Sequence, residues 1–164
     1  MKNIDKNFNI YQNIRVFIIG NGEEYKVLTN FVKENKLETN IFFLGYRNDS
    51  INFINACDLF IQPSISKEDM PLVVLTAMSL GKNIIATNFA GINQQIINGE
   101  SGILINPDIK SITENIYRSI LFYYKNVDCK MGVNAKKRYN NLFSEIKYGT
   151  SICNLYNYSI TKKI

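Results

Sequence analysis

Residues 64–87, "SISKEDMPLVVLTAMSLGKNIIAT", place a polar loop, an apolar helix-like run and a strand-like run in direct succession. Proline is favoured at the first position of a helix, where its missing N–H costs no hydrogen bond, so Pro71 marks a helix start. The run that follows is apolar except for Thr76 and Ser79, which predicts a helix buried on nearly all sides. We therefore predict a helix over 71–80, followed directly by a buried strand over 83–87.

The loop before this helix carries two carboxylates, Glu68 and Asp69. The start of a helix has free backbone N–H groups and a positive dipole end, so it attracts anionic groups. Asp69 is interpreted either as a helix cap or as part of a binding site, whereas Glu68 could accept hydrogen bonds from sugar hydroxyls. Thr76 alone indicates no function, because its hydroxyl could bond to the carbonyl of Leu72 one turn earlier.

Apolar strand-like runs alternate with helix-like segments along the rest of the chain. The predicted strands cover 15–20, 40–46, 59–64, 83–87 and 102–105. The predicted helices cover 23–36 (with Tyr25, Leu28 and Val32 on one face), a short stretch from Asp49 or Ser50, 71–80, 93–97, 108–126, and 128–158 with a break near Gly149. Strands separated by helices indicate an α/β fold, a Rossmann-like doubly wound parallel sheet of about five strands flanked by helices.

Composition limits the class of protein. A chain of 164 residues that is 46% hydrophobic can form one core, so we expect one domain. No apolar run approaches the roughly 18 residues of a membrane span and the first residues lack a signal-peptide pattern, so we expect a cytoplasmic protein. The absence of histidine excludes a Ser-His-Asp triad, a Cys-His dyad and histidine-ligated metal. Cys57, Cys129 and Cys153 show no paired spacing and are predicted to be buried, reduced thiols.

Charge is unevenly distributed along the chain. Residues 109–164 hold ten Lys and Arg against three Asp and Glu, a net +7, whereas residues 1–108 hold nine against eleven, a net −2. Two interpretations remain open: peripheral contact of this basic C-terminal segment with anionic lipid or a partner, or the solvated faces of terminal helices. The spread of the basic residues favours the second, and no motif indicates nucleic-acid binding.

Ligands of doubly wound sheets bind at the carboxyl ends of the strands, so the loops there are the candidates for a site. They are "GNGEE", "GYRND", "SISKEDM" and "NFAGIN". The first carries Gly20 and Gly22, but Tyr25 stands where a dinucleotide fingerprint has its third glycine. A tight turn is therefore a better interpretation of this loop than a dinucleotide site.

The succession "VFIIGNGEEYKVL", "NIFFLGY" and "ACDLFIQPSISKEDMPLVVLTAMSLGKNIIATNFAGINQQIINGESGILINP" resembles the C-terminal, donor-binding half of the retaining group 1 (family 4) glycosyltransferases of GT-B architecture. The resemblance covers about residues 15–124 and rests on several motifs at matching intervals. It implies a nucleotide-sugar-binding domain over 15–126, between an N-terminal extension over 1–14 and a C-terminal helical segment over 127–164. It also implies a role in glycan biosynthesis, with a nucleotide-diphosphate sugar as substrate and with no cofactor and no metal.

The resemblance implies roles for individual residues. Glu68 matches the loop glutamate that contacts the donor sugar and is the catalytic candidate. Thr76 stands eight positions later, where the family has a second glutamate that binds the ribose, and its side chain is shorter. The other donor-binding candidates are Gly20 and Gly22 in the first loop, Gly45 and Tyr46 at the nucleobase, Asp69, Met70, Pro71 and Leu72 around sugar and phosphate, and Ala90 and Gly91 facing the pyrophosphate.

The chain departs from the family at its start. The family's donor half opens with a strand, a Gly-Arg turn and a helix that supply an Arg and a Lys to the diphosphate, and an acceptor-binding half precedes it. We expect the chain alone to lack a complete active site. Two functions therefore stay open: the donor-binding domain of a glycosyltransferase that works with a separate acceptor-binding chain, or a non-catalytic module that binds a nucleotide or a partner.

Two structural expectations follow from this departure. The place of the central strand is filled either by direct pairing of 15–19 with 59–63, giving one five-stranded sheet, or by a strand from residues 8–12 or from another chain. The segment 144–158 either folds back on the sheet or exposes an apolar surface that self-associates.

Overall fold

The structure, a computed structural model, describes residues 14–65, 69–89, 91–108, 112–126 and 129–161. Its elements in chain order are β1 Val16–Ile19, α1 Tyr25–Glu34, β2 Ile41–Gly45, α2 Ser50–Ala56, β3 Leu59–Gln62, α3 Leu72–Ser79, β4 Asn83–Thr87, α4 Ile92–Gln95, β5 Ile103–Ile105, α5 Ile112–Lys125, α6 Met131–Leu142 and α7 Glu145–Thr161. All predicted strands are present, and the predicted α/β class is confirmed. The chain divides after Ser50 into two compact units.

The first unit is built on a parallel pair of strands. Val16 of β1 lies opposite Ile41 of β2, and the register shifts by one residue after Ile18. Of the predicted apolar face of α1, Val32 is buried and the Tyr25 ring meets Phe43 edge-on at 5.6 Å. Leu28, the third member of that face, is exposed.

The second unit contains a three-stranded parallel sheet in the order β3-β4-β5. β4 is its central strand, with Leu59 of β3 opposite Asn83 and Ile103 of β5 opposite Ile85. Ile84, Ile85 and Ala86 are fully buried. A central parallel strand covered on both faces is apolar throughout rather than alternating, which is why "NIIAT" could be recognised as a strand.

Helices cover both faces of this sheet. Ile84 and Ala86 belong to a core shared by α3, α4 and α6, whose other fully or nearly fully buried members are Val74, Ala77, Met78, Ile92, Ile96 and Ala135. Ile85 points to the opposite face, where it clusters with Ile105 and with Tyr123 of α5. The Tyr123 hydroxyl donates to the Ile84 carbonyl at 3.2 Å, and burial raises the pKa of this phenol.

The expected direct pairing of 15–19 with 59–63 is not formed. Across the described ranges, β1 pairs with β2 and β3 pairs with β4, so the five strands belong to two sheets rather than one. β1 and β3 each pair with a single strand among the described residues, so each is an edge strand of its own sheet. Residues 8–12, the other expected source of a strand, lie outside the described residues.

The C-terminal helices break at a different point from the one predicted. α6 ends at Leu142 and α7 begins at Glu145, so the break near Gly149 was wrong and that glycine lies inside α7. A single glycine costs only about 1 kcal/mol in a helix interior, too little to end it. Ser144 starts α7 instead, because its Oγ accepts a hydrogen bond from the Lys147 N–H at 3.4 Å.

The three cysteines are free thiols. Cys57 and Cys129 are half-buried, and burial raises the pKa of the Cys57 thiol. Cys153 is exposed, so the prediction of a buried thiol was wrong there, because α7 leaves this side chain uncovered. None of the described helices is long and apolar enough to cross a membrane.

Candidate functional site

The loops after β3 and β4 leave the same edge of the three-stranded sheet, because the strands are parallel. The first loop leads from Pro63 to the start of α3, and the second leads from Asn88 to the start of α4. Contacts within the second unit hold the first loop against the second.

The beginning of the first loop is tied to the end of β4. The Thr87 hydroxyl, fully buried, donates to the Ser64 carbonyl at 2.7 Å. The Gln62 amide in turn donates to the Ser64 hydroxyl at 2.8 Å. Ser64 is therefore held through both its backbone and its side chain.

The last part of the loop, Asp69 and Met70, lies directly against Gly91. A Cβ atom on Gly91 would overlap the Asp69 carbonyl group. Its backbone angle φ of −80° is ordinary for any residue, so glycine is required here for space and not for conformation. Two of the predicted donor-binding loops thus meet backbone to backbone at this residue.

The end of the loop is Pro71, the residue before α3. Its ψ of 121° is extended, so Pro71 is the N-cap residue and not the first helical residue, a difference of one position from the prediction. The Pro71 carbonyl accepts two hydrogen bonds, from the Val74 N–H at 3.1 Å and from the Gln95 side-chain amide at 3.2 Å. No hydrogen bond between the described residues joins the Asp69 carboxylate to the first turn of α3, so the capping interpretation gains no support.

The first turn of α3 is the exposed end of an otherwise buried helix. Val74, Ala77 and Met78 are fully buried, but Leu72 is 75% exposed, so the prediction of burial on nearly all sides was wrong for this turn. The cause is its position at the edge of the sheet, where the core ends. Leu72 and Val73, whose N–H groups precede the first bonded N–H of the helix at Val74, are both exposed.

Thr76 lies one turn into α3 and is half-buried. Its hydroxyl donates to the Leu72 carbonyl at 3.0 Å, as the sequence analysis allowed. Ser79 donates to the Thr76 carbonyl at 2.8 Å in the same way. The Thr76 hydroxyl proton is therefore engaged within the helix, which leaves the oxygen available as an acceptor.

Gln95 and Arg138 support this region and were not predicted. Gln95 is fully buried on α4, and its Oε1 has no hydrogen-bond partner in the part of the chain that the structure describes. Arg138 of α6 donates from Nε to the Gln95 carbonyl and from Nη2 to the Gln94 carbonyl, both at 2.7 Å. The polar run Asn93-Gln94-Gln95, which makes up most of α4, was the one available signal.

The remaining predicted residues of the first unit form their own small cluster. The Gly20 N–H donates to the Gly45 carbonyl at 2.8 Å, and both glycines have positive φ, 130° and 65°. These conformations favour glycine and explain the two tight turns. Gly22 lies in the same turn with open space around it, and Tyr46 is exposed.

The structure brings some of the predicted site residues together, whereas others lie outside the described residues. Asp69, Met70 and Gly91 are in direct backbone proximity, and Gly20 contacts Gly45. Glu68 and Ala90 lie outside the described residues. Within the described ranges, no group of three or more Cys, Asp and Glu side chains could hold a metal ion.

The sequence and the fold both match known proteins. The family model described as glycosyl transferases group 1 matches residues 1–138. The chain is 33% identical over 141 residues to the Escherichia coli UDP-Gal:alpha-D-GlcNAc-diphosphoundecaprenol alpha-1,3-galactosyltransferase, covering 85% of this chain and 35% of that protein. It is 33% identical over 127 residues to the alpha-1,3/1,6-mannosyltransferase ALG2 of Dictyostelium discoideum, covering 76% of this chain and 29% of that protein.

Among solved structures, Anabaena HepE in complex with UDP matches with a TM-score of 0.77 and 23% identity, over 88% of this chain and 41% of that chain. A glycosyltransferase from Rickettsia africae matches with a TM-score of 0.76 and 22% identity, over 87% of this chain and 39% of that chain. These two likenesses show the fold, and this chain spans well under half the length of each relative. The chain belongs to the group 1 glycosyl transferases and has the Rossmann-like α/β fold of their GT-B members.

Proposed function

We propose that this chain is the donor-binding domain of a retaining, family 4 glycosyltransferase and binds a nucleotide-diphosphate sugar for transfer to an acceptor. The observation that carries the proposal is the exposed first turn of α3 at the carboxyl edge of a parallel sheet, in a chain that belongs to the group 1 glycosyl transferases. The names of two similar proteins support a uridine nucleotide, since one describes a UDP-galactose donor and the other a UDP complex. The donor is a substrate, and the proposal includes no cofactor and no metal.

The first turn of α3 supplies a physical reason for diphosphate binding. Its backbone N–H groups and the positive end of the helix dipole attract phosphate oxygens. The exposure of Leu72 leaves this turn accessible to a ligand. Departure of the nucleoside diphosphate during transfer places negative charge on those oxygens, and preorganised donors stabilise that charge.

We assign residue roles in line with this chemistry. Met70 and Leu72 contribute backbone N–H groups to the sugar and phosphate, and Gly91 faces the pyrophosphate. Thr76 faces the ribose, where its hydroxyl oxygen can accept a hydrogen bond. The other proposed contacts within the second unit are Glu68 to the sugar and Asp69, Pro71 and Ala90 in the flanking turns.

A ligand screen tests the proposal. A ligand that binds only the native state adds about 2.7 kcal/mol at one hundred times its Kd, which raises Tm by several degrees in a domain of this size. We expect UDP or a UDP-sugar to raise Tm, and uridine, which lacks the phosphates, to have little effect. No shift with any uridine, guanosine or adenosine diphosphate species at millimolar concentration would contradict donor binding.

Two substitutions separate the ribose contact from the sugar contact. Thr76→Glu should tighten UDP binding by about tenfold, because a carboxylate can reach the ribose hydroxyls, with Thr76→Gln as the uncharged control of equal length. Glu68→Ala should weaken binding of a UDP-sugar more than binding of UDP. Equal losses for both ligands in Glu68→Ala would argue against a sugar contact, and titration calorimetry measures both constants.

The alternative of a non-catalytic module is tested by transfer chemistry. Thr76 in place of a glutamate is the feature that favours it. We expect release of UDP from a UDP-sugar in the presence of a suitable acceptor, measured by chromatography. Tight donor binding without release under any acceptor would favour the non-catalytic module.

A further inference from the structure

Gln95 is a buried amide inside an apolar core. Ile92 of α4 and Ile96, the residue after the helix, are buried members of the core that α4 shares with α3 and α6, and Gln95 itself has no exposed surface. Burying an amide is unfavourable unless its hydrogen bonds are satisfied. Its Nε2 is satisfied by the Pro71 carbonyl, but its Oε1 has no partner among the described residues. An apolar side chain of the same size would fill this space without that cost, so stability alone does not account for the amide.

The contacts of Gln95 connect three elements. On one side, Arg138 of α6 donates to the Gln95 backbone carbonyl at 2.7 Å and so holds the end of α4. On the other side, the Gln95 amide donates to the Pro71 carbonyl, which also accepts the first hydrogen bond of α3 from Val74. Any movement of Gln95 would therefore be passed directly to the first turn of α3.

Gln95 is one of three contacts that the segment 87–95 makes with the loop before α3. Thr87 holds the beginning of that loop at Ser64, Gly91 lies against Asp69 and Met70, and Gln95 holds the end of the loop at Pro71. Of these three contacts between described residues, the one made by Gln95 is at Pro71, whose carbonyl also accepts the Val74 N–H at the start of α3.

We propose that Gln95 is a positioning residue, which fixes the Pro71 carbonyl and thereby aims the first-turn N–H groups of α3 at the donor diphosphate. This inference rests on the proposed donor binding. Preorganised donors bind charge better than mobile ones because no ordering cost is incurred on binding. Loss of the amide should therefore loosen the helix start and weaken diphosphate binding without unfolding the protein.

Gln95→Met tests the inference, with Gln94→Met, an exposed neighbour on the same helix, as the matched control. Three quantities are measured on the full chain: Tm, hydrogen exchange at residues 69–76, and the Kd for UDP. We expect Gln95→Met to keep the wild-type Tm or raise it, to speed exchange at 69–76 about tenfold, and to raise the Kd about tenfold. Gln94→Met should leave all three unchanged.

Wild-type exchange at 69–76 in a folded Gln95→Met protein would overturn the inference, whatever the Kd. If wild-type protein binds no UDP, the exchange result still decides whether Gln95 holds the helix start, and the proposed function fails separately. If Gln95→Met does not fold, Arg138→Met decides, since it removes the hydrogen bonds to the Gln94 and Gln95 carbonyls and leaves the Gln95 side chain in place. Faster exchange at 69–76 in Arg138→Met would support the inference, and unchanged exchange would overturn it.

Discussion

Helices α3 and α7 both carry large apolar side chains, but only α3 buries them. Val74, Ala77 and Met78 of α3 are fully buried, whereas α7 has no buried residue among its 17. α3 packs against β4 and α6, while α7 packs along α6. The comparison teaches that burial of an apolar helix depends on the surfaces that surround it and not on its composition.

α7 nevertheless carries most of its large apolar side chains on one side, as helices that pack against another surface do. Six apolar side chains lie on one half of the helix, namely Ile146, Tyr148, Ile152, Leu155, Tyr156 and Ile160, together with the polar Glu145 and Ser159. Tyr158 lies on the other half, with Lys147, Thr150, Asn154, Asn157 and Thr161. Ile146 is 81% exposed and Tyr156 is 67% exposed, so of the two alternatives expected for 144–158 the structure displays the exposed one.

The largest loss of stability is expected when a buried side chain of α3 is shortened. Met78→Ala should lower the free energy of unfolding by about 2–5 kcal/mol, because it leaves a cavity in the core of α3, β4 and α6. The corresponding loss of Tm is roughly 5 to 15 °C. Ile146→Ala in α7 is the control and should change stability by less than about 0.5 kcal/mol. Equal losses in the two variants would show that α7 is buried in solution.

Two glycines allow the packed and the exposed helices to be compared at the backbone. A Cβ on Gly132 of α6 would overlap the Gly81 carbonyl oxygen, just after α3, whereas a Cβ on Gly149 of α7 would meet nothing within 4 Å. Gly132→Ala should therefore cost about 1–3 kcal/mol by overpacking. Gly149→Ala should stabilise α7 by up to about 1 kcal/mol through helix propensity. Urea unfolding measures both, and a stabilising Gly132→Ala would refute the close approach.

The smallest effect on stability is expected where association changes most. We expect the chain to self-associate through the apolar half of α7 at tens of micromolar protein, and Leu155→Lys to shift it toward the monomer with little change in Tm. Thr150→Lys, on the polar half, is the control of equal charge. Size-exclusion chromatography with light scattering measures the mass. A clean wild-type monomer would contradict self-association and leave a different chain as the partner of this surface.

Much of the fold could be predicted because strands and helices follow local patterns. β4 has the bounds that were predicted, and α3 differs from its prediction by one residue at each end. The failures have local causes as well: Gly149 is a weak helix breaker, and the cap at Ser144 was overlooked. The division of the strands over two sheets could not be predicted, since strand pairing joins residues far apart in sequence.

The candidate site was predicted less completely than the fold. Gly91 was expected to face a pyrophosphate, but its requirement for glycine comes from Asp69, a neighbour in space and not in sequence. Gln95 was missed because its partner, Pro71, lies 24 residues earlier. Its burial could not be predicted from the sequence either, because glutamine is usually a surface residue.

The sequence by itself determined the α/β alternation, the apolar central strand and the family, because periodicity, turn residues and motif intervals are local properties of the chain. Only the tertiary structure decided that α3 is buried and α7 is not, and that Gly91 leaves no room for a side chain. It alone decided that Gln95 holds the start of α3. These properties depend on close packing and hydrogen bonds between atoms that only folding brings together.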